Sequence, residues 1–458
     1  MSQSSLNPTS PELLAATAGH TRAHNFGKVA YVHPQRFSSG MYLPSNSGEQ
    51  LRELISSGTP LKDIHQQPYN DLEKPIVAEY LRHMIDGELF SGGRDYSLRF
   101  ITGDIGEIRN QVIDGLERTV LVIPQGLRRA QITADSFTQA RMTTHPLNNK
   151  TEEILAIMAK TMLLSGFEES IYHRLTAGGD ATTHGANNNP IINSLVISST
   201  WQFTPVTPYK SPSTPNKILY LSPAPSNESH FAQLKGSGRY LDRILRLLEI
   251  LDNPQMTERG INDLAYFTPN GTLADTTYTN LALAIPHPKK KDWTIIAFPE
   301  NSERNYFFQG KTQKTVYEII KKMGANYNLE AFSYTSPEEL SQYIGCRSAF
   351  SGKKLMKKIL FDSVEAMIAP GTFLGPQLIK SIVSPGLKHS KTFDQSNPSY
   401  SAMQTILQLY NNAVWGLNGG LTLENDSCLA ANPLYCTMFD VNDMHEGTIQ
   451  PLQFHHLE

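Results

Sequence analysis

Between residues 96 and 385 the chain is written in short apolar runs that are not joined in a regular strand–helix–strand rhythm. Leu98-Arg-Phe-Ile, Val120-Leu-Val-Ile, Ser170-Ile-Tyr-His-Arg-Leu, Ser194-Leu-Val-Ile-Ser-Ser, Lys217-Ile-Leu-Tyr-Leu, Asp263-Leu-Ala-Tyr-Phe, Leu281-Ala-Leu-Ala-Ile and Trp293-Thr-Ile-Ile-Ala-Phe all have strand length and composition. Helical spacing is confined to a few stretches: 152–164, 240–251 and 312–323, the last with Val316, Ile319, Ile320 and Met323 on one face and Gly324 as its stop. Strands in clusters with a few amphipathic helices between them predict an α+β protein and argue against a doubly wound parallel sheet. No internal repeat of 20–50 residues is visible.

Composition removes several classes of function. The 458 residues carry 40 Lys and Arg against 43 Asp and Glu, a net charge of -3, so there is no basic excess to hold nucleic acid. Hydrophobic residues at 39%, including 19 Phe and 19 Tyr, suffice for a buried core. Cys346, Cys428 and Cys436 are odd in number and form no C-x-x-C pair, which predicts neither a disulfide framework nor a zinc site. The polar first twenty residues lack the apolar run of a secretory leader, and no run of about 18 apolar residues could span a bilayer. The expectation is a soluble cytoplasmic protein with no metal, membrane or nucleic-acid partner.

No short motif settles the chemistry. Gly352-Lys353 is followed by Lys354 where a phosphate loop needs Ser or Thr, and neither H-E-x-x-H nor G-x-S-x-G occurs. Four segments in order are more informative. Leu234-Lys-Gly-Ser-Gly-Arg-Tyr-Leu leads into a helix, and 268–281 contains a Pro-Asn-Gly turn followed by Asp275 and Asn280. Phe308-Gln-Gly-Lys-Thr enters the helix at 312, and Ala349-Phe-Ser-Gly-Lys-Lys reads as a loop followed by a strand toward Phe361-Asp362. Upstream lie Gln125-Gly-Leu-Arg-Arg and Gln139-Ala-Arg-Met, the second containing Arg141.

In this order and spacing the segments resemble the fold-type IV pyridoxal-phosphate aminotransferases, the family of the branched-chain and D-amino-acid aminotransferases. Its members run Lys-x-x-x-x-Tyr, Asn-Gly-x-x-x-Glu-x-x-x-x-Asn, Gly-x-Thr at a helix start, and a Gly-Thr loop. The resemblance covers roughly residues 100–385: Gln125-Gly-Leu-Arg-Arg looks like the family's Glu-Gly-x-Arg strand segment, and Gln139-Ala-Arg-Met resembles the segment whose Arg grips the cofactor phosphate. It implies a two-domain core, with a smaller α+β domain over 96–215 and a larger cofactor-binding domain over 216–385. Residues 1–95 would then be a partly flexible N-terminal extension and 386–458 a C-terminal one, with a helix over Ser401–Leu409 and a flexible piece over Gly416–Gly420.

By the same resemblance the cofactor is pyridoxal 5'-phosphate, and Lys235 is the catalytic residue that binds it as an aldimine and then carries the proton. Tyr240 would bond the cofactor's phenolic oxygen. Asp275, one methylene shorter than the family's Glu, would hold the pyridine nitrogen protonated. Arg141, Lys311, Thr312, Gly352 and Lys353 would hold the phosphate, with Lys353 standing where the family has Thr. Arg174 would receive the substrate carboxylate. Each has a plainer reading beside it. Lys235 and Lys353 can be surface lysines, Tyr240 a core aromatic, Asp275 a turn residue, Thr312 an N-cap and Arg174 half of a structural salt bridge. The Lys289-Lys-Lys run reads as a solvated hairpin tip.

The activity implied is transfer of an amino group between an amino acid and a 2-oxo acid, by a homodimer. Two alternatives stay open: a lyase or racemase on the same cofactor, and a binding module that keeps the fold without the catalysis. The changes at Asp275 and Lys353 and the long extensions motivate the second.

Overall fold

The computed structural model describes residues 23–32, 100–113, 115–139, 151, 155, 159, 162, 170–180, 193–203, 217–225, 243, 246, 247, 250, 252–302, 307–371, 375–417, 432–445 and 450–452. The chain divides into two compact units, Met1–Thr207 with Ala413–Glu458, and Pro208–Asn412. The region 386–458, expected as one extension, is therefore shared between the two units.

The first unit contains an antiparallel sheet of β1 (Ala23–Val32), β2 (Phe100–Ile113), β3 (Leu116–Pro124), β4 (Ser170–Asp180), β5 (Asn193–Phe203) and β15 (Cys436–Asp440). Their order is β1-β5-β4-β2-β3-β15. β1 lies within residues expected to be a loose arm, and it pairs with β5 from Ala23 opposite Phe203 to Val32 opposite Val196. β15 pairs with β3 from Cys436 opposite Pro124 to Asp440 opposite Val120. Val120, Leu121, Val122 and Ile123 are buried in succession, as in a strand covered on both faces.

The expectation of a strand at Gln125–Arg129 is corrected. Gln125 adopts a left-handed backbone with φ 56 and donates its N–H to Tyr435 O at 2.8 Å, and the chain turns there into a helix, Gly126–Gln139. Arg128 and Arg129 are buried on its first turns. Thr151, Leu155, Ala159 and Met162 are helical, in line with the spacing read over 152–164. A Cβ on Gly106 of β2 would lie 2.7 Å from Met162 Sδ, so the bare glycine is what allows this approach.

The second unit contains β6 (Lys217–Pro225), β7 (Asp263–Phe267), β8 (Leu273–Thr276), β9 (Ala282–Pro286), β10 (Thr294–Pro299), β11 (Leu329–Tyr334), β12 (Ala366–Pro370), β13 (Pro376–Val383) and β14 (Ser390–Thr392). The strands run β11-β10-β9-β12-β13-β6-β7-β8, with β14 also on β13. The pairs β10–β11, β13–β6 and β6–β7 are parallel and the others antiparallel. The helix Lys311–Met323 buries the expected Val316, Ile319, Ile320 and Met323. Each such side chain contributes about 1.5–3 kcal/mol on burial.

The strand expected after Gly352 is instead the helix Gly352–Asp362. Leu355, Met356, Ile359 and Leu360 are buried at spacings of one, three and one, which is helical periodicity. Lys353, Lys354, Lys357 and Lys358 repeat with the same spacing two residues earlier, and Lys358 pairs with Asp362 one turn on. Lys289, Lys290 and Lys291 are all exposed, as expected of a solvated tip, and side-chain contacts hold the turn. Lys290 Nζ bonds Glu330 at 2.5 Å and lies 4.3 Å from the Trp293 ring centroid. His287 Nδ1 accepts the N–H groups of Lys289 and Lys290, so this histidine closes the turn. The helix predicted over Ser401–Leu409 forms part of Pro398–Trp415. Among the described residues no helix is long and apolar enough to cross a membrane, and no group of three His, Cys, Asp or Glu could hold a metal.

Candidate functional site

The site is organised by a tight turn. Thr276 N donates to Thr279 O at 2.6 Å, and the Thr276 hydroxyl accepts the N–H groups of Tyr278 and Thr279. This turn brings Asn280 back opposite Asp275 in an antiparallel bridge, which is why the two polar residues stand five positions apart in the sequence. Both are 3% exposed. Asn280 Nδ2 donates to Asp275 Oδ1 at 2.5 Å and to Phe308 O at 2.6 Å, while its Oδ1 accepts Gly310 N at 2.8 Å. One buried amide thus ties a buried carboxylate to the start of the Lys311–Met323 helix.

That helix start is unusual. Gly310 is its N-cap and has no side chain to cap it, and a Cβ there would lie 2.8 Å from Asn280 Oδ1. The first N–H groups of a helix have no intrahelical partner and carry the positive end of its dipole. Lys311, Thr312, Gln313 and Thr315 are nevertheless buried. Thr312 is 1% exposed, and its hydroxyl has no hydrogen-bond partner among the described residues. Leaving a buried hydroxyl unmatched costs about 1–3 kcal/mol. The N-cap reading of Thr312 is therefore set aside. A buried helix N-terminus with a spare hydroxyl beside it suits an anion.

Asp275 also pairs with a residue that sequence reasoning missed. Arg243 Nη2 stands 3.2 Å from Asp275 Oδ2, and Nη1 donates to Thr276 O at 2.9 Å. An arginine on an amphipathic helix gave no signal, because the sequence does not show what it faces.

Gly352 and Lys353 contact other residues. Gly352 N donates to Glu338 Oε1 at 2.6 Å, and a Cβ on Gly271 would lie 2.1 Å from Lys353 N. Lys353 Nζ donates to the carbonyls of Ser222 at 3.1 Å and Pro223 at 2.8 Å and lies 4.6 Å from the Phe267 ring centroid. Burial, with Lys357 nearby as a smaller cause, pushes its amine below the usual lysine range. These contacts fasten a helix to the end of β6.

A Gly-Thr pair overlooked in the sequence, Gly371-Thr372, follows β12. A Cβ on Gly371 would lie 2.7 Å from Thr279 Cγ2, which places this glycine against the turn that carries Asn280. Its order in the chain, a Gly-Thr pair after Gly310-x-Thr312, was the signal available. Lys235, Tyr240 and Arg141 lie outside the described residues. Arg174 is in the middle of β4, opposite Gly103 of β2 and Ser199 of β5, and its side chain lies outside the described part.

No protein-family model matches the sequence, and no curated protein is significantly similar to it. Solved structures are similar in fold. The M3 mutant of the branched-chain amino acid aminotransferase from Thermobaculum terrenum aligns with a TM-score of 0.52 and 11% identity, over 75% of this chain and 89% of that one. The M4 mutant of the same enzyme gives 0.50 and 12%, with the same coverage. Mixed helices and strands in two units, aligned over most of these enzymes' length, give this chain the fold of the fold-type IV aminotransferases.

Proposed function

We propose that the protein is a pyridoxal-phosphate-dependent aminotransferase, moving an amino group between an amino acid and a 2-oxo acid. The observation that carries this reading is the Asp275–Asn280–Gly310 bridge, which joins a buried carboxylate to a buried, uncapped helix start with a spare Thr312 hydroxyl. A pyridine nitrogen at one end and a phosphate at the other is the chemistry such a pair of groups suits. The residues fit the cofactor on those two counts.

In this reading Asp275 holds a proton on the ring nitrogen, and Asn280 fixes the direction of that carboxylate. The N–H groups at Lys311 and Thr312 and the Thr312 hydroxyl take the phosphate, with Arg141 as a cation and Gly371-Thr372 in place of Gly352-Lys353. Lys235 binds the cofactor carbonyl and moves the proton at the substrate Cα, Tyr240 bonds the phenolic oxygen and Arg174 receives the substrate carboxylate. When bound, the cofactor supplies the electron sink that makes the Cα proton removable. A cytoplasmic homodimer belongs to the same proposal.

The purified protein is expected to show a visible absorption band that borohydride bleaches and that Lys235→Ala abolishes. Amino acids should convert the band to that of the aminated cofactor, and a 2-oxo acid should restore it. Release of ammonia without an acceptor would point instead to a lyase, and loss of Cα stereochemistry alone to a racemase. The Arg243–Asp275 pair favours a second reading, a fold-retaining binding module in which Arg243 has taken over the carboxylate. A colourless protein that takes up no added cofactor would overturn the enzymatic readings and leave this one.

A further inference from the structure

Both oxygens of Asp275 are engaged: Oδ1 by Asn280 and Oδ2 by Arg243. The guanidinium is itself held, by Thr276 O at 2.9 Å and by the Tyr266 ring, whose centroid is 4.9 Å from Arg243 Cζ. Tyr266 OH donates to Arg243 O at 3.4 Å, and Arg243 is 5% exposed. Nothing in the family pattern read from the sequence requires an arginine eight residues after Lys235. A buried carboxylate beside a guanidinium presents a paired dipole where an unpaired one would present a full negative charge.

We propose that Arg243 is a positioning residue for Asp275 that directs the shortened carboxylate and moderates its hold on the cofactor's ring-nitrogen proton. The inference rests on the aminotransferase reading above. Removing the guanidinium charge takes this pairing away from Asp275 and raises the proton affinity of a base facing it. Among the described residues, the other charges acting on Tyr266 are Asp263, paired with Lys217 at 2.8 Å, and Arg246. Neither is altered by a change at Arg243.

The test uses the full chain loaded with pyridoxal phosphate labelled with 15N in the ring, its nitrogen resonance read at one neutral pH. Arg243→Gln and the volume-matched Arg243→Met are both expected to move the resonance toward the protonated position. Arg243→Lys, which keeps the charge, should leave it near wild type. An unmoved resonance in Gln and Met, or an equal movement in Lys, overturns the proposal. Asp275→Asn tests it with Arg243 in place: the resonance should move to the unprotonated position, and no movement overturns the proposal. A wild-type protein that takes up no cofactor sinks the aminotransferase reading and this inference with it, whereas uptake with an unmoved resonance sinks only the role of Arg243.

Discussion

Two helix starts in the second unit looked alike in sequence, each a glycine followed by lysine, and they are finished in opposite ways. At Lys311–Met323 the buried first turn keeps a hydroxyl without a partner among the described residues. At Gly352–Asp362 the protein fills the anion position with its own Glu338 carboxylate, and the Lys353 ammonium is taken by two carbonyls. In the proposed function the first start is the place for a ligand and the second is already closed, and the Gly-Lys pair common to both does not separate them.

The comparison breaks most easily at Gly271. With φ +90 and a Cβ that would lie 2.1 Å from Lys353 N, Gly271→Ala must displace backbone in the closed region. A stability loss of about 3 kcal/mol or more is expected by denaturant titration. Cofactor affinity of the protein that remains folded should be unchanged, and a matching loss of affinity would show that the closed region belongs to the site.

Thr312→Val separates the two starts next. Losing a hydrogen bond to a charged group, about 1.5–3 kcal/mol, should weaken cofactor binding roughly 10- to 100-fold in a fluorescence titration. The cofactor-free protein should be at least as stable as wild type, since an unmatched hydroxyl is replaced by a methyl. A variant destabilised without cofactor would mean that the hydroxyl is matched internally after all.

Lys353→Met should cost about 1 kcal/mol of stability and leave cofactor affinity within about twofold. Its pH dependence has a defined sign. The folded state holds the Lys353 proton less tightly than the unfolded chain, so the unfolded state binds more protons between the two pKa values. This group's contribution to stability therefore rises as pH climbs from the folded pKa to the unfolded one. The methionine variant should flatten that rise.

Much of the fold was legible because it is written in local periods. The strands at Val120, Lys217, Asp263, Leu281 and Trp293 and the helix ending at Met323 follow from runs that need no distant information. Two expectations fail where motif analogy stands in for local pattern: the spacing of Leu355, Met356, Ile359 and Leu360 is helical, whereas the left-handed turn at Gln125 goes with a long-range bond to Tyr435 O that no local pattern shows. The site was half legible. Asp275, Asn280 and the Gly310–Thr312 start were named because a tight turn and a helix start are local features. Arg243 was not, since only tertiary packing brings a guanidinium to Asp275, and the Gly371-Thr372 pair is legible only as a Gly-Thr in the right order, its approach to Thr279 being tertiary.

The most direct measurement of the central claim is to load the protein with pyridoxal phosphate, reduce it with borohydride, digest it and locate the modified lysine by mass spectrometry. The account predicts the cofactor's mass on the peptide containing Lys235, with Lys311 and Lys353 unmodified. Modification at Lys311 or Lys353, or at no lysine, would contradict it.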